Sequence, residues 1–190
     1  MVASEHSLTV EGASLFGHAL STHRADNEID FYSAVDEAKP KGEDAGAGMI
    51  GTLEFTSAVY YRYAALNLGL LADAEHLEAL KPAERKATVD AFIRATLCAI
   101  PTARHTSMNA HTPPSFVLGI YKEKGQPLQL VNAFEKPVWS KQGLLDKSIE
   151  ALKGHHATIK KTWNIETDDE LVIPDVDLKT FCNRLTAHVP

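Results

Sequence analysis

Thr52-Leu53-Glu54-Phe55-Thr56-Ser57-Ala58-Val59-Tyr60-Tyr61-Arg62-Tyr63 decides the fold class. Leu53, Phe55, Ser57, Val59, Tyr61 and Tyr63 fall on one side of the chain. Glu54, Thr56, Ala58, Tyr60 and Arg62 fall on the other. This period of two, in β-branched and aromatic residues, predicts a long half-buried strand over 52–68. Upstream, residues 10–23 alternate in the same way, as Phe16, His18, Leu20 and Thr22 against Leu15, Gly17, Ala19 and Ser21. Gly12 and Gly17 mark a bulge or a close backbone approach there. Between these strands lie a short β-type run, Ile29 to Val35, and a segment at 36–51 with Pro40 and Gly42, Gly46, Gly48 and Gly51. Residues 25–57 therefore predict a long hairpin excursion with a loose tip.

Downstream the period changes. Val89, Phe92, Ile93, Thr96, Leu97 and Ile100 recur at helical spacing behind Pro82, which suits the first turn, and Pro101 ends the helix. A polar loop at 102–114 leads to a strand at 116–121, a turn at Gly125-Gln126-Pro127 and a second strand at 128–131. Further helices are expected at 141–153, with Leu145, Ile149 and Leu152 inward, and from Asp177, an N-cap, with Leu178, Phe181, Cys182 and Leu185 inward. The order predicts an α+β fold of helices packed on an antiparallel sheet, a class that includes ferredoxin-like folds that bind RNA on the sheet.

Composition narrows the function. The chain has 190 residues, 44% hydrophobic, and carries 25 acidic against 19 basic residues for a net charge of −6. A protein held to nucleic acid by overall charge would show the opposite balance, so any RNA contact must be local or steric. Cys98 and Cys182 match no metal spacing and read as reduced, buried thiols. No apolar run is long enough for a bilayer, and Met1-Val2-Ala3-Ser4-Glu5-His6 lacks a signal peptide's basic start, so no membrane partner is expected and the cytoplasm is the expected compartment.

Catalytic patterns are weak. His155 and His156 are adjacent and diverge on a helix, and His105 and His111 lack a companion carboxylate or thiol nearby. No phosphate-binding glycine loop or nucleophile elbow occurs. Asp168-Asp169-Glu170 reads as a solvated charge run. No cofactor, metal or catalytic residue is expected.

Three blocks carry a family resemblance. Gly17-His18-Ala19-Leu20-Ser21-Thr22-His23-Arg24-Ala25-Asp26-Asn27-Glu28-Ile29-Asp30-Phe31-Tyr32-Ser33-Ala34-Val35-Asp36, then Leu53 to Ala64, then Val131-Asn132-Ala133-Phe134-Glu135-Lys136-Pro137-Val138 occur in order and at spacing similar to the backbone subunit of the type I-E CRISPR Cascade complex, the CasC family. The resemblance covers nearly all of this chain and about the C-terminal half of that family, so the family's N-terminal half is expected to be missing. It implies a partial RRM-like (ferredoxin-like) palm at 1–24 and 58–190, with a protruding β-hairpin thumb at 25–57. It also implies that such subunits stack along guide RNA (crRNA), beside sibling and other Cascade subunits, and hold bases splayed for pairing with target DNA.

By residue matching, Ser33, Ile50, Thr52 and Leu53 would lie near RNA, Met1 would stand at a base wedge, and Phe31 and Val35 would meet a neighbouring subunit. The loop Arg104-His105-Thr106-Ser107-Met108-Asn109 offers Arg104, Ser107 and Asn109 as donors to phosphates or 2′-hydroxyls. Within 25–57 the acids Asp26, Glu28, Asp30, Asp36, Glu37, Glu43, Asp44 and Glu54 outnumber Lys39 and Lys41, which suits insertion by shape rather than ionic grip. Lys136, Lys141, Lys147, Lys153, Lys160 and Lys161 supply positive charge elsewhere. Phe31-Tyr32 and Tyr60-Tyr61-Tyr63 serve as core or as base-stacking groups. The alternatives are a ferredoxin-like ribonuclease using His23 or His105 as general base, and a non-functional remnant of the backbone subunit.

Overall fold

The computed structural model describes residues 11–34, 49–101, 106 and 111–190. It has a mixed α+β fold with antiparallel pairing throughout its described strands. The chain divides into two units. The first holds residues 1–18, 62–130 and 156–190, the second residues 19–61 and 131–155.

The two long strands expected at 10–23 and 52–68 are each broken. β1 (Ser14–Phe16) pairs with β6 (Ala64–Leu66), β2 (Leu20–Ser21) with β5 (Tyr60–Tyr61), and β3 (Glu28–Ala34) with β4 (Met49–Phe55). Unequal spacers explain the breaks. Residues 17–19 separate β1 from β2, but only 62–63 separate β5 from β6. Residues 22–27 then stand against 56–59. An extra residue on one side cannot join a regular ladder and is extruded, as in a β-bulge. Gly17 sits at the first mismatch. Its N–H still donates to the Tyr63 carbonyl at 3.0 Å. A Cβ there would lie 3.0 Å from Gln129 Nε2 and 3.3 Å from Tyr63 Cβ, so the close approach read from the sequence is real.

In the first unit, Asn67 caps the short helix α1 (Leu68–Leu71) by accepting from the Leu70 N–H at 3.0 Å. Helix α2 (Pro82–Cys98) starts with Pro82 in its first turn and with Glu84 accepting from the Lys81 N–H at 2.9 Å. At its other end the Arg62 guanidinium donates to the carbonyls of Thr96 (2.8 Å) and Ala99 (3.1 Å), placing a cation where the helix leaves acceptors unsatisfied. Val89 is buried, and Phe92, Ile93, Thr96, Leu97 and Ile100 are half-buried on the same stripe. Cys98 points outward and is exposed, which corrects its reading as a buried thiol; Cys182 is fully buried.

β7 (Val117–Tyr121) pairs with β8 (Asp169–Ile173), and α4 (Leu178–Thr186) packs on this ribbon and on α2. Asp177 caps α4 by accepting from the Thr180 N–H at 2.6 Å. Phe181 presses onto Gly119, where a Cβ would lie 2.5 Å from the ring's Cζ. Val89, Leu171, Phe181, Cys182 and Val189 form the buried centre.

The charge run expected at 168–170 leads into β8: Asp168 and Glu170 are exposed, as a solvated run would be, and Asp169 is half-buried. Asp168 accepts from the Glu123 N–H at 2.7 Å. Asp169 pairs with Arg184 and stands 3.6 Å from His188 Nε2, and Glu170 pairs with Lys160. Asp168 is held by a backbone N–H beyond β7, whereas Asp169 and Glu170 meet cations supplied by the helices on either side of β8 in sequence. No strand forms at 128–131. Pro127 offers no N–H to a ladder, and a 3-10 turn follows at Val131–Phe134 instead.

In the second unit, Phe134 packs on Tyr61 at 5.5 Å between ring centroids. Helix α3 (Leu145–Trp163) starts later and runs longer than the expected 141–153. Gly143, at φ 112°, turns the chain just before it, and Asn164, at φ 49°, stops it. Its residues up to His155 belong to the second unit and those from His156 to the first.

Candidate functional site

The β3–β4 hairpin is the element to which the sequence assigned recognition. Its register pairs Ile29 with Glu54, Asp30 with Leu53, Phe31 with Thr52, Tyr32 with Gly51 and Ser33 with Ile50. Side chains alternate between the faces of a strand, and cross-strand partners share a face. One face therefore carries Ile29, Phe31, Thr52 and Glu54. It is open, with Phe31 72% and Ile29 54% exposed. The opposite face carries Leu53 and Phe55, both half-buried, with Tyr32 and Gly51.

The expected residues separate accordingly. Phe31 and Thr52 lie side by side on the open face. Leu53 faces the other way, so Thr52 and Leu53 cannot both meet one flat ligand. Ser33 and Ile50 hold the next paired position of the ladder. Met1, Val35, Arg104, Ser107 and Asn109 lie outside the described residues.

Tyr32 lies across Gly51, where a Cβ would be 2.5 Å from the ring's Cζ and 2.7 Å from Cε1. The glycine, read from sequence only as part of a loose tip, is the seat of that ring. A Tyr opposite a Gly in one register was the available signal, but it requires knowing the register. The hairpin's described charges are Glu28, Asp30 and Glu54, with no cation in either strand. A surface of this charge offers a polyanion no ionic attraction, only apolar area and shape.

The histidines divide by environment. The His23 Nε2 accepts from the Val59 N–H at 3.1 Å, so the proton sits on Nδ1, which donates to the Arg24 carbonyl at 2.7 Å. Both nitrogens are committed to backbone, which leaves His23 no lone pair for a general base. His105 lies outside the described residues. His156 is buried with its Nε2 3.8 Å from Glu170, and burial holds its pKa below the usual value against the opposing pull of the Glu170 carboxylate, with Lys160 adding to the fall. Burial pushes Glu170 upward, but hydrogen bonds from Lys160 and Thr167 outweigh it and hold the carboxyl below its ordinary range. This network ties helix to strand. Among the described residues no group of three His, Cys, Asp or Glu side chains could hold a metal ion, and no helix is long and apolar enough to cross a membrane.

Fold and site together define a mixed α+β protein that presents an exposed two-stranded hairpin rather than a cleft of converging ionisable groups. Residues 1–186 match the CT1975-like protein family, and the chain belongs to it. It is similar to a chain of a solved structure described as a CRISPR RNA-guided surveillance complex, with 25% identity and a TM-score of 0.78, covering 98% of this chain and 74% of that one. A chain from a second structure, described as a CRISPR RNA-guided surveillance complex, pre-nicking, is 25% identical with a TM-score of 0.79, covering all of this chain and 53% of that one. This chain thus spans about half the length of the second. No curated protein matches it.

Proposed function

We propose that this chain is an RNA-binding structural subunit of a CRISPR Cascade-type surveillance complex, working in the cytoplasm and without catalysis of its own. The observation that carries this reading is its similarity, over 98% or more of its length, to chains of RNA-guided surveillance complexes. The finer reading is a type I-E backbone subunit of the CasC kind, with an RRM-like palm at 1–24 and 58–190 and a thumb at 25–57. Copies would stack along guide RNA and leave its bases splayed for target DNA.

The open hairpin face favours this mechanism. Phe31 and Ile29 expose apolar surface that gains by burial against a base or a neighbouring subunit, while the acids beside them discourage phosphate contact. Thr52, Leu53, Ser33 and Ile50, with Met1, Arg104, Ser107 and Asn109, are the proposed RNA contacts. Phe31 and Val35 are the proposed contacts to a sibling subunit.

Co-expression with guide RNA and the other subunits tests the reading. The chain is expected to co-purify in a particle that ribonuclease disperses, and Phe31→Ala is expected to reduce its incorporation at least tenfold without lowering the chain's own melting temperature. A chain that melts cooperatively yet never enters an RNA-containing particle, or that cleaves guide RNA, would overturn it.

A further inference from the structure

Trp139 is 77% exposed, the most exposed of the chain's large hydrophobic residues with a described side chain. It does not sit on a loose segment. Phe134, five residues before it, is packed on Tyr61. The Val138 N–H, immediately before it, donates to the Thr22 carbonyl at 2.9 Å. After it, Ser140 Oγ accepts from the Gln142 N–H at 3.1 Å, and Gly143 turns the chain into α3. The backbone is anchored just before the ring and folded on itself just after it, and the indole faces outward.

The surroundings of the ring point to its partner. Lys141 Nζ stands 6.0 Å from the ring centroid. Lys136 and Lys141 are exposed, and neither forms an ion pair among the described residues. The acids nearest in sequence are Glu135 and Asp146. Pro137, Ser140 and Gln142 are the ring's other near neighbours in sequence. A docking patch for a folded protein would place further apolar side chains around a central aromatic. Here Lys141 lies over one exposed ring and Lys136 is three residues before it, which suits a base stacked on the indole and phosphates on the lysines. Bases in a duplex have no free π-face, so the matching polymer is single-stranded.

We infer that Trp139, with Lys136 and Lys141, forms a stacking platform for single-stranded nucleic acid, separate from the hairpin. The inference rests on the RNA-binding reading for the presence of the polymer and adds a contact that reading does not contain. The platform takes a base by stacking and its backbone by charge, with no preference for one base.

The chain has two tryptophans, so Trp163→Phe leaves Trp139 as the sole indole reporter. Oligouridylate and oligoadenylate 12-mers are titrated into this otherwise intact chain. Saturable quenching of Trp139 emission is expected with both. Adding Trp139→Ala is expected to weaken binding about tenfold, with Trp139→Phe recovering most of it. Lys141→Ala is expected to lower the slope of log affinity against log salt by about one. Oligonucleotide binding with unchanged Trp139 emission, or equal affinity in Trp139→Ala, would overturn the platform while leaving the RNA-binding reading intact. Quenching by protein subunits alone, without RNA, would also overturn it. If no variant binds RNA and the chain enters no RNA-containing particle, both readings fail together.

Discussion

The hydroxyls of Thr22 and Ser148, 126 residues apart in the chain, meet at 2.8 Å inside the second unit, and both residues are buried. Ser148 has one proton and donates it to the Leu144 carbonyl at 2.7 Å, so Thr22 is the donor in the pair. Thr22 also gives its N–H to the Val59 carbonyl and its carbonyl to the Val138 N–H, which makes it the joint between the strands and the Trp139 loop. Ser148→Ala strands a buried donor and should cost about 1–3 kcal/mol; Thr22→Val removes the donor itself and should cost less. Urea denaturation of the two variants checks the order, and equal losses would contradict the proton assignment.

The seat of Tyr32 on Gly51 predicts a local effect. Gly51→Ala puts a methyl group where the ring lies, so the ring must swing away and the hairpin loses its cross-strand cover. Amide hydrogen exchange should quicken across 28–34 and 49–55, with little change in the melting temperature of the whole chain. Unchanged exchange in those strands would show that the ring is not needed there.

Gly119 predicts a global effect. Its α-carbon faces the buried Phe181, and a methyl group has no room unless α4 lifts off β7. Overpacking of this kind costs about 1–3 kcal/mol, so Gly119→Ala should lower the midpoint of denaturant unfolding without changing its slope.

Acid should destabilise the chain in two stages. Burial holds His156 below its ordinary 6.5, so as pH falls through that value the unfolded chain takes a proton that the folded chain refuses, and stability drops. Glu170 is held below its ordinary 4.5 because the Lys160 and Thr167 hydrogen bonds outweigh burial. The stability it contributes is present above that value and is lost as pH falls further. His156→Gln should flatten the upper part of the profile only, as measured by melting temperature from pH 7 to pH 3. A profile unchanged by the substitution would show that His156 contributes nothing.

Much of the fold is legible from the residues alone. The alternation around Leu53, Phe55 and Tyr61 marks the strand region. The stripe from Val89 to Ile100 marks α2, and Asp177 marks the start of α4. These features depend on spacing along one segment, so local sequence contains them. The hairpin is legible for the same reason, as two β-type runs around a turn-rich stretch.

Three features required the folded chain. Residues 17–19 set against 62–63 break the long strands, because a bulge is a mismatch between two segments and neither shows it alone. Asp169 and Glu170 look like part of a solvated run until the two helices that flank β8 in sequence bring Lys160 to Glu170, and Arg184, with His188 just past the second helix, to Asp169. The exposure of Trp139 has no mark in the local sequence and follows from a loop anchored by the bond from Val138 to Thr22. Sequence determined the main strand regions and the helices α2, α3 and α4, since period and caps are properties of near neighbours, but not β8 or the absence of a strand at 128–131. Tertiary structure decided burial, register and exposure, since each is set by groups that meet only after the chain has folded.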